Sequence, residues 1–271
     1  MNVQLLRSVL AVPSVSTREG HMIDFLRETL SDMGIAHYID DYGNVYATKG
    51  DGPGVYPAVC AHTDTVHDIE GRLHIAEEFT SLGAILRAYT PEGHKTGCGG
   101  DDKAGVFVCL ELLRIMPRLK AAFFVSEEIG CVGSSHASPE FFANVGYCIE
   151  FDSPNGDIIS FSSDGMQLFD EHGKFAEVAV PIMDTHGMTR WQIHPYTDVA
   201  MLRRKFNFEC LNLPCGYHMM HSREEFVVLA EVENAIRVGE RIIGQAKDRH
   251  YVLESGWRGR QPDRRVTYLQ L

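Results

Sequence analysis

The chain has 271 residues, 44% of them hydrophobic and 23% charged, so it can bury an ample core without staples. Its formal charge of −12 and sequence pI near 5.5 exclude a general nucleic-acid binder, which needs a basic footprint. No apolar run approaches the roughly 18 to 20 residues of a membrane span, and the N-terminus lacks the basic-then-apolar layout of a signal peptide, so the sequence reads as cytoplasmic with no membrane partner.

Apolar residues at helical spacing predict two opening helices, at 2–10 and about 18–34. The second carries Met22, Ile23, Phe25, Leu26, Leu30 and Met33 and stops at Gly34. Ile35 to Ile39 and Asn44 to Thr48 flank Asp40-Asp41-Tyr42-Gly43 and predict a hairpin. The apolar run from Val55 to Ala61 predicts a central strand that delivers His62 at its end. Residues 69–91 read as further strands or an excursion, with Leu82 to Tyr89 the better strand. After Gly97-Cys98-Gly99-Gly100, a helix is predicted from Asp102 to Met116, closed by Pro117. Strands follow at 120–126, at 145–151 before Asp152, and at 158–162, with a helix at 134–143.

Beyond these, the pattern predicts helices at 166–180 and 197–204, a strand at 206–211 and a long amphipathic helix from about Arg223 to Gln245. The tail arginines Arg258, Arg260, Arg264 and Arg265 read as solvated charge. Seven cysteines at irregular spacing, without a C-x-x-C pair, predict free thiols, with Cys98 and Cys215 as small buried ones. Strands alternating with helices predict a three-layer α/β/α fold around a central, mostly parallel mixed sheet, with no domain boundary in 1–271. Ligands in such sheets bind beyond the carboxyl ends of the strands, where His62, Glu127, Glu128 and Asp152 all fall.

Glu127-Glu128 ends an apolar run, and two adjacent carboxylates there are either solvent-facing or neutralised by a cation or proton. In His62-Thr63-Asp64 the two side chains share a side of an extended chain, so Asp64 can orient His62, whether as a structural contact or behind a metal ligand. Asp101-Asp102-Lys103 opens a helix, either as an N-cap or with one carboxylate projecting onto the rim. Before the last helix, Ser222 and Glu225 read as its N-cap and capping-box partner, which leaves His221 over, with His218 a competing candidate. Together the rim offers His62, Asp101, Glu128, Asp152 and His221 as ligands, with Asp64 and Glu127 as unligated carboxylates. Nitrogen and oxygen donors without thiolates suit zinc, or cobalt or manganese. Five ligands, one of them a bridging carboxylate, fit two divalent ions, and Glu127 could take a proton from a water between them.

Ala61-His62-Thr63-Asp64-Thr65-Val66, Gly99-Gly100-Asp101-Asp102-Lys103-Ala104-Gly105, Val125-Ser126-Glu127-Glu128-Ile129-Gly130, the aspartate at 152 and the Gly216-Tyr217 to His221-Ser222 stretch resemble the dinuclear zinc exopeptidases of the peptidase T and aminoacylase type. The match spans 55–155 and 205–245. The resemblance implies that His62, Asp101 and Asp152 hold one metal while Asp101, Glu128 and His221 hold the other. It also implies that Glu127 is the general base, that Asp64 orients His62, and that the Asp101–Asp102 peptide bond is cis. Relatives of this type insert a lid or dimerisation domain between the aspartate ligand and the final histidine. Here only 153–220 intervene, so a single catalytic domain over 1–271 without a lid is expected.

His194-Pro195-Tyr196-Thr197-Asp198 resembles the T-D element of lidless aminopeptidases, which places Asp198 either near the site or at a helix N-terminus. The activity implied is hydrolysis of short peptides by an aminopeptidase. The alternatives are an N-acyl-amino-acid deacylase or a carboxypeptidase, which must grip a carboxylate with Arg190, Arg203 or Arg204, and a non-catalytic metal-binding protein. His186, His194 and Tyr217 are the candidates for stabilising an oxyanion.

Overall fold

The structure is a computed structural model that describes residues 1–253, except Asp164 and Pro195, together with 267–268. The tail arginines Arg258, Arg260, Arg264 and Arg265 lie outside the described residues. Helices α1 (Val3–Leu10) and α2 (Gly20–Asp32) precede the hairpin β1 (Ala36–Ile39) and β2 (Val45–Lys49), and β3 (Tyr56–His62) follows. Next come β4 (His74–Thr80), β5 (Gly83–Tyr89), β6 (Lys95–Thr96), α3 (Gly100–Ile115), β7 (Leu119–Phe124), α4 (Val132–Ser135), α5 (Pro139–Phe142) and β8 (Val145–Ser153). The second half adds β9 (Ile158–Ser163), β10 (Met166–Gln167), α6 (Lys174–Thr185), β11 (Arg190–His194), α7 (Asp198–Lys205) and β12 (Glu209–Pro214). It closes with β13 (Tyr217–His218), β14 (Phe226–Val228), α8 (Leu229–Ala246) and β15 (Thr267–Tyr268).

The central sheet runs β1-β2-β7-β3-β8-β12-β9-β11-β15, with β10 paired to β9. Its middle is parallel, β7 to β3, β3 to β8 and β8 to β12, and antiparallel pairings hold β2 to β7 and β12 to β9. Every residue of β3, β7 and β8 is buried, as expected of strands covered on both faces. Helix α3 packs on β3 and β8 and is flanked by α1 and α8, while α7 packs on β3, β8 and β12. A smaller antiparallel sheet, β13-β14-β5-β4 with β6 on β5, carries the segment that contains His221. Among the described residues no helix is long and apolar enough to cross a membrane.

Several sequence expectations are corrected. The helix expected over 166–180 starts only at Lys174, because Met166–Gln167 pairs with β9 and Leu168 exchanges backbone hydrogen bonds with Phe161 and Cys210. Strand β11 was not anticipated; its alternating Trp191 and Ile193 form a period-2 pattern too short to stand out. The helix expected over 134–143 is broken into α4 and α5, the latter capped by Ser138 with Pro139 in its first turn. The last helix begins at Leu229 instead of Arg223, since Phe226–Val228 is a strand bonded to β5. Ser222 and Glu225 therefore do not form a capping box.

The parallel order sets the rim. His62 pairs with Phe124, and Cys60 with Glu150, so the ends of β7, β3 and β8 emerge side by side. Gly105 lets α3 approach them: a Cβ there would lie 2.2 Å from both Asp102 Oδ1 and the Phe151 carbonyl oxygen. Gly105→Ala is expected to destabilise the fold by about 1–3 kcal/mol through overpacking, read as a lower urea midpoint. An unchanged midpoint would show that helix and strand have room to separate.

Candidate metal centre

His62 leaves β3 with its ring buried, and both ring nitrogens face acidic neighbours. Nδ1 lies 3.0 Å from the Asp64 carbonyl oxygen and 3.4 Å from Asp64 Oδ1. Nε2 is 3.1 Å from Asp101 Oδ1 and 3.6 Å from Asp152 Oδ1. With Nδ1 directed at acceptors, Nε2 is the nitrogen available to an ion. On the other side of Asp101, His221 Nε2 lies 3.2 Å from Asp101 Oδ2 and 3.0 Å from Glu128 Oε2. Asp101 thus presents one oxygen to each histidine.

Asp101 owes this position to its turn. Gly99 has φ +61°, the Asp101–Asp102 peptide bond is cis, and both aspartates have non-helical torsions at the start of α3. Asp102 turns inward: its Oδ2 accepts the His62 N–H at 3.1 Å and its Oδ1 accepts the Gly105 N–H at 3.1 Å. His62, Asp101 and Glu128 offer ligand atoms within 4.8 Å of one another, and so do His62, Asp102 and Asp152. The oxygens of Asp102 already accept backbone amides, whereas those of Asp101 face the two histidines.

Asp64, fully buried, joins three segments. It accepts from Ser16 Oγ at 2.7 Å, from the Glu127 N–H at 2.9 Å and from the Glu128 N–H at 3.3 Å. Burial opposes its ionisation, yet His62, Ser16 and the Glu127 amide outweigh that and hold its carboxyl below the usual range. Burial likewise opposes ionisation of Asp101, but the two histidines prevail and lower it. Asp152 and Glu128 go the other way, pushed up by burial and then by the charge of Asp101. Burial, with Asp101 and Glu128 adding repulsion, pushes Glu127 up to about 7.

Among the described residues no lysine or arginine is paired with Asp64, Asp101, Glu127, Glu128 or Asp152; histidines are their only ion-pair partners. Buried carboxylates so arranged need protons or cations, and an all-nitrogen-and-oxygen donor set fits hard or borderline divalent ions. The donors front a cleft of about 390 Å³ shared with His194, Tyr196 and Met220.

The structure thus brings together all seven residues singled out from the sequence and sets several others aside. His218 bonds Glu231 at 2.6 Å and stacks on Phe226. His186 bonds Asn234 and Arg241, away from the cleft. Arg190 pairs with Asp157, Arg203 bonds Phe206 and Asn207, and Arg204 reaches Met201; none lines the cleft. Tyr217 is buried, and its hydroxyl donates to Asp152 Oδ1 at 3.4 Å, which makes it a support for that carboxylate. Asp198 opens α7 with its side chain buried, and burial followed by the Glu150 charge pushes its carboxyl up. Cys131, not singled out from the sequence, donates its thiol hydrogen to Glu127 Oε1 at 3.3 Å; the local turn closed by its own N–H on the Glu127 carbonyl oxygen at 2.8 Å brings it there.

No protein-family model and no curated protein matches the sequence. Solved structures do match the chain. The aminopeptidase PepT from Bacillus cereus superposes with a TM-score of 0.75 at 16% identity, covering 90% of this chain and 98% of that one. The likeness is one of fold. A tripeptidase from Staphylococcus aureus gives a TM-score of 0.73 at 12% identity, covering 89% and 96%. An aminopeptidase from the archaeon Desulfurococcus kamchatkensis gives 0.67 at 16% identity, covering 91% and 95%.

The histidine on the rim supplies a test of metal binding. Asp101 and Glu128 beside it push His221 up to about 10, so at pH 7 an ion taking His221 as a ligand would have to displace a proton. Divalent-ion affinity is therefore expected to rise with pH from 6 towards 10. Calorimetry at pH 7 in buffers of different ionisation enthalpy should register proton release, and buffer-independent heats would contradict the protonated state.

Proposed function

We propose that the chain is a metal-dependent exopeptidase, an aminopeptidase acting on short peptides, with His62, Asp101 and Asp152 holding one divalent ion and Asp101, Glu128 and His221 the other. The observation that carries this reading is the position of Asp101, one oxygen towards each histidine, in a set of buried carboxylates to which no lysine or arginine among the described residues is paired. The fold shared with structures described as aminopeptidases and a tripeptidase supports it. Zinc suits the donors, with cobalt or manganese able to replace it.

Two such ions would polarise the scissile carbonyl and acidify the attacking water. The chain's own residues do the rest. Glu127 is held by its amide on Asp64 and by the Cys131 thiol at Oε1, so its carboxylate accepts the proton of the water and returns it to the leaving amine. Asp64 fixes the His62 ring through Nδ1, and Tyr217 steadies Asp152.

Substrate polarity follows from the walls. The cleft is lined by carboxylates and histidines and, among the described residues, by no lysine or arginine, so nothing there grips a substrate carboxylate as a carboxypeptidase or deacylase must. His194 sharpens this. Its Nδ1 faces the Tyr196 carbonyl oxygen, which only accepts, so Nδ1 carries the hydrogen, and burial pushes the ring's pKa down and keeps it neutral. Nε2 is then an acceptor, suited to a substrate ammonium and unsuited to an oxyanion.

We also read the chain as one catalytic domain without a lid, because 153–220 is occupied by β9 to β13 with α6 and α7, and those strands all belong to the two sheets. Seven free, buried thiols support a reducing, cytoplasmic setting.

Protein loaded with zinc, cobalt or manganese should release amino acids from free-amine di- and tripeptides at least about 10-fold faster than from their N-acetyl forms, the scale of one lost hydrogen-bonded charge. Glu127→Gln should lower kcat by about 10²–10⁴-fold with metal content unchanged. Equal rates on blocked peptides would move the assignment to a deacylase, and no hydrolysis with any metal would remove the enzyme.

A further inference from the structure

Glu225 takes no part in the chemistry proposed above, yet it is fully buried and both its oxygens are committed. Oε1 accepts the Asp101 N–H at 3.1 Å, and Oε2 accepts the Gly99 N–H at 2.7 Å and lies 2.9 Å from His67 Nε2. These amides belong to the turn at the head of α3, where the first N–H groups have no intrahelical acceptor. With Asp101 and Asp102 in non-helical torsions, the turn has little ladder of its own. Its position is set from outside, by a residue more than 120 positions away in the chain.

That outside residue sits four positions after His221. One carboxylate therefore ties the turn that carries Asp101 to the segment that carries His221, and the two meet at 3.2 Å between Asp101 Oδ2 and His221 Nε2. His221 itself is half-exposed with φ +60°, so it needs its segment held to keep that contact. We infer that Glu225 is the positioning residue of the centre, setting the separation at which Asp101 and His221 share an ion. This rests on the two-metal reading.

The isosteric amide is the informative variant. Glu225 accepts from amide N–H groups at both oxygens, whereas a glutamine has one oxygen and one NH2. Either orientation of Glu225→Gln leaves a backbone N–H facing another donor, so shape is kept and position is lost. Outer partners of metal ligands cost about 10–100-fold in metal affinity when removed. A purely structural role would instead lower stability and leave the affinity of the folded protein alone.

The test uses full-length protein stripped of metal and titrated with zinc against a chromophoric chelator, with cobalt loading followed by visible absorption and folding checked by circular dichroism. In Glu225→Gln, at least one of the two ions should bind about 10–100-fold more weakly, with an altered cobalt spectrum, while the fold persists. Should that variant not fold, His67→Ala, which removes only the third contact to Oε2, should weaken the same ion by about 3–10-fold, a fraction of the full effect. Unchanged affinities and an unchanged cobalt spectrum in the folded variant overturn the positioning role alone. Wild-type protein that binds no ion overturns the two-metal reading and this inference with it.

Discussion

Negative charge buried with histidines but, among the described residues, no lysine or arginine to match it is the constraint on which this molecule turns. Asp64, Asp101, Asp102, Glu127, Glu150, Asp152 and Asp198 are all buried around the carboxyl ends of three parallel strands, and Glu128 is partly so. Desolvating one unpaired carboxylate costs several kcal/mol, and the group escapes by taking a proton or finding a cation. The chain sorts its carboxylates into two tiers. In the inner tier, Asp102 and Glu150 receive amide or hydroxyl donors, Glu150 from Thr197 and from the Asp198 and Val199 amides at the start of α7. Burial pushes both of them, and Asp198, up towards the neutral acid. In the outer tier, Asp101, Glu128 and Asp152 face the histidines and the cleft, where a cation can do what protons do inside.

Much of this was legible in the sequence wherever a local pattern and the tertiary structure agree. The apolar runs that became β3, β7 and β8 are buried on both faces, so composition alone marked them, and the acidic residues at their ends fell on the rim because parallel strands end together. Legibility failed where a local pattern had a competing tertiary use. Ser222 and Glu225 match a capping box by spacing, but Glu225 is taken up by amides from the α3 turn and the intervening chain is drawn into a strand on β5. Met166 to Phe169 has apolar residues that suit a helix face, yet it is extended against β9 and β12. Of the inner tier, Asp102 and Asp198 stood out in the sequence by their positions at helix starts, whereas Glu150 was passed over although it lies in the run that became β8, because a glutamate is so much more often exposed than buried.

The anchoring of the rim follows one rule, and it explains why carboxylates accumulate there. Where strands end, backbone amides leave the ladder and must find acceptors. Here side chains from distant segments take them over: Asp102 accepts from His62, Glu225 from Asp101, Asp64 from Glu127 and Glu128, and Asn212 from Asp152. Asn44 and Glu19 do the same for Val125 and Ser126 in the turn that leads to the glutamates, where Ser126 has φ +57°. Asp64, Glu225 and Glu19 bring carboxylates to this task, and an anionic acceptor holds an amide about twice as strongly as a neutral one. A carboxylate of this kind adds rigidity to the rim and negative charge to the cluster, while Asn44 and Asn212 add rigidity alone. Preorganisation and charge excess grow together, so the scaffold that fixes His62, Asp101, Glu128 and Asp152 also creates the demand for cations that those residues are placed to meet.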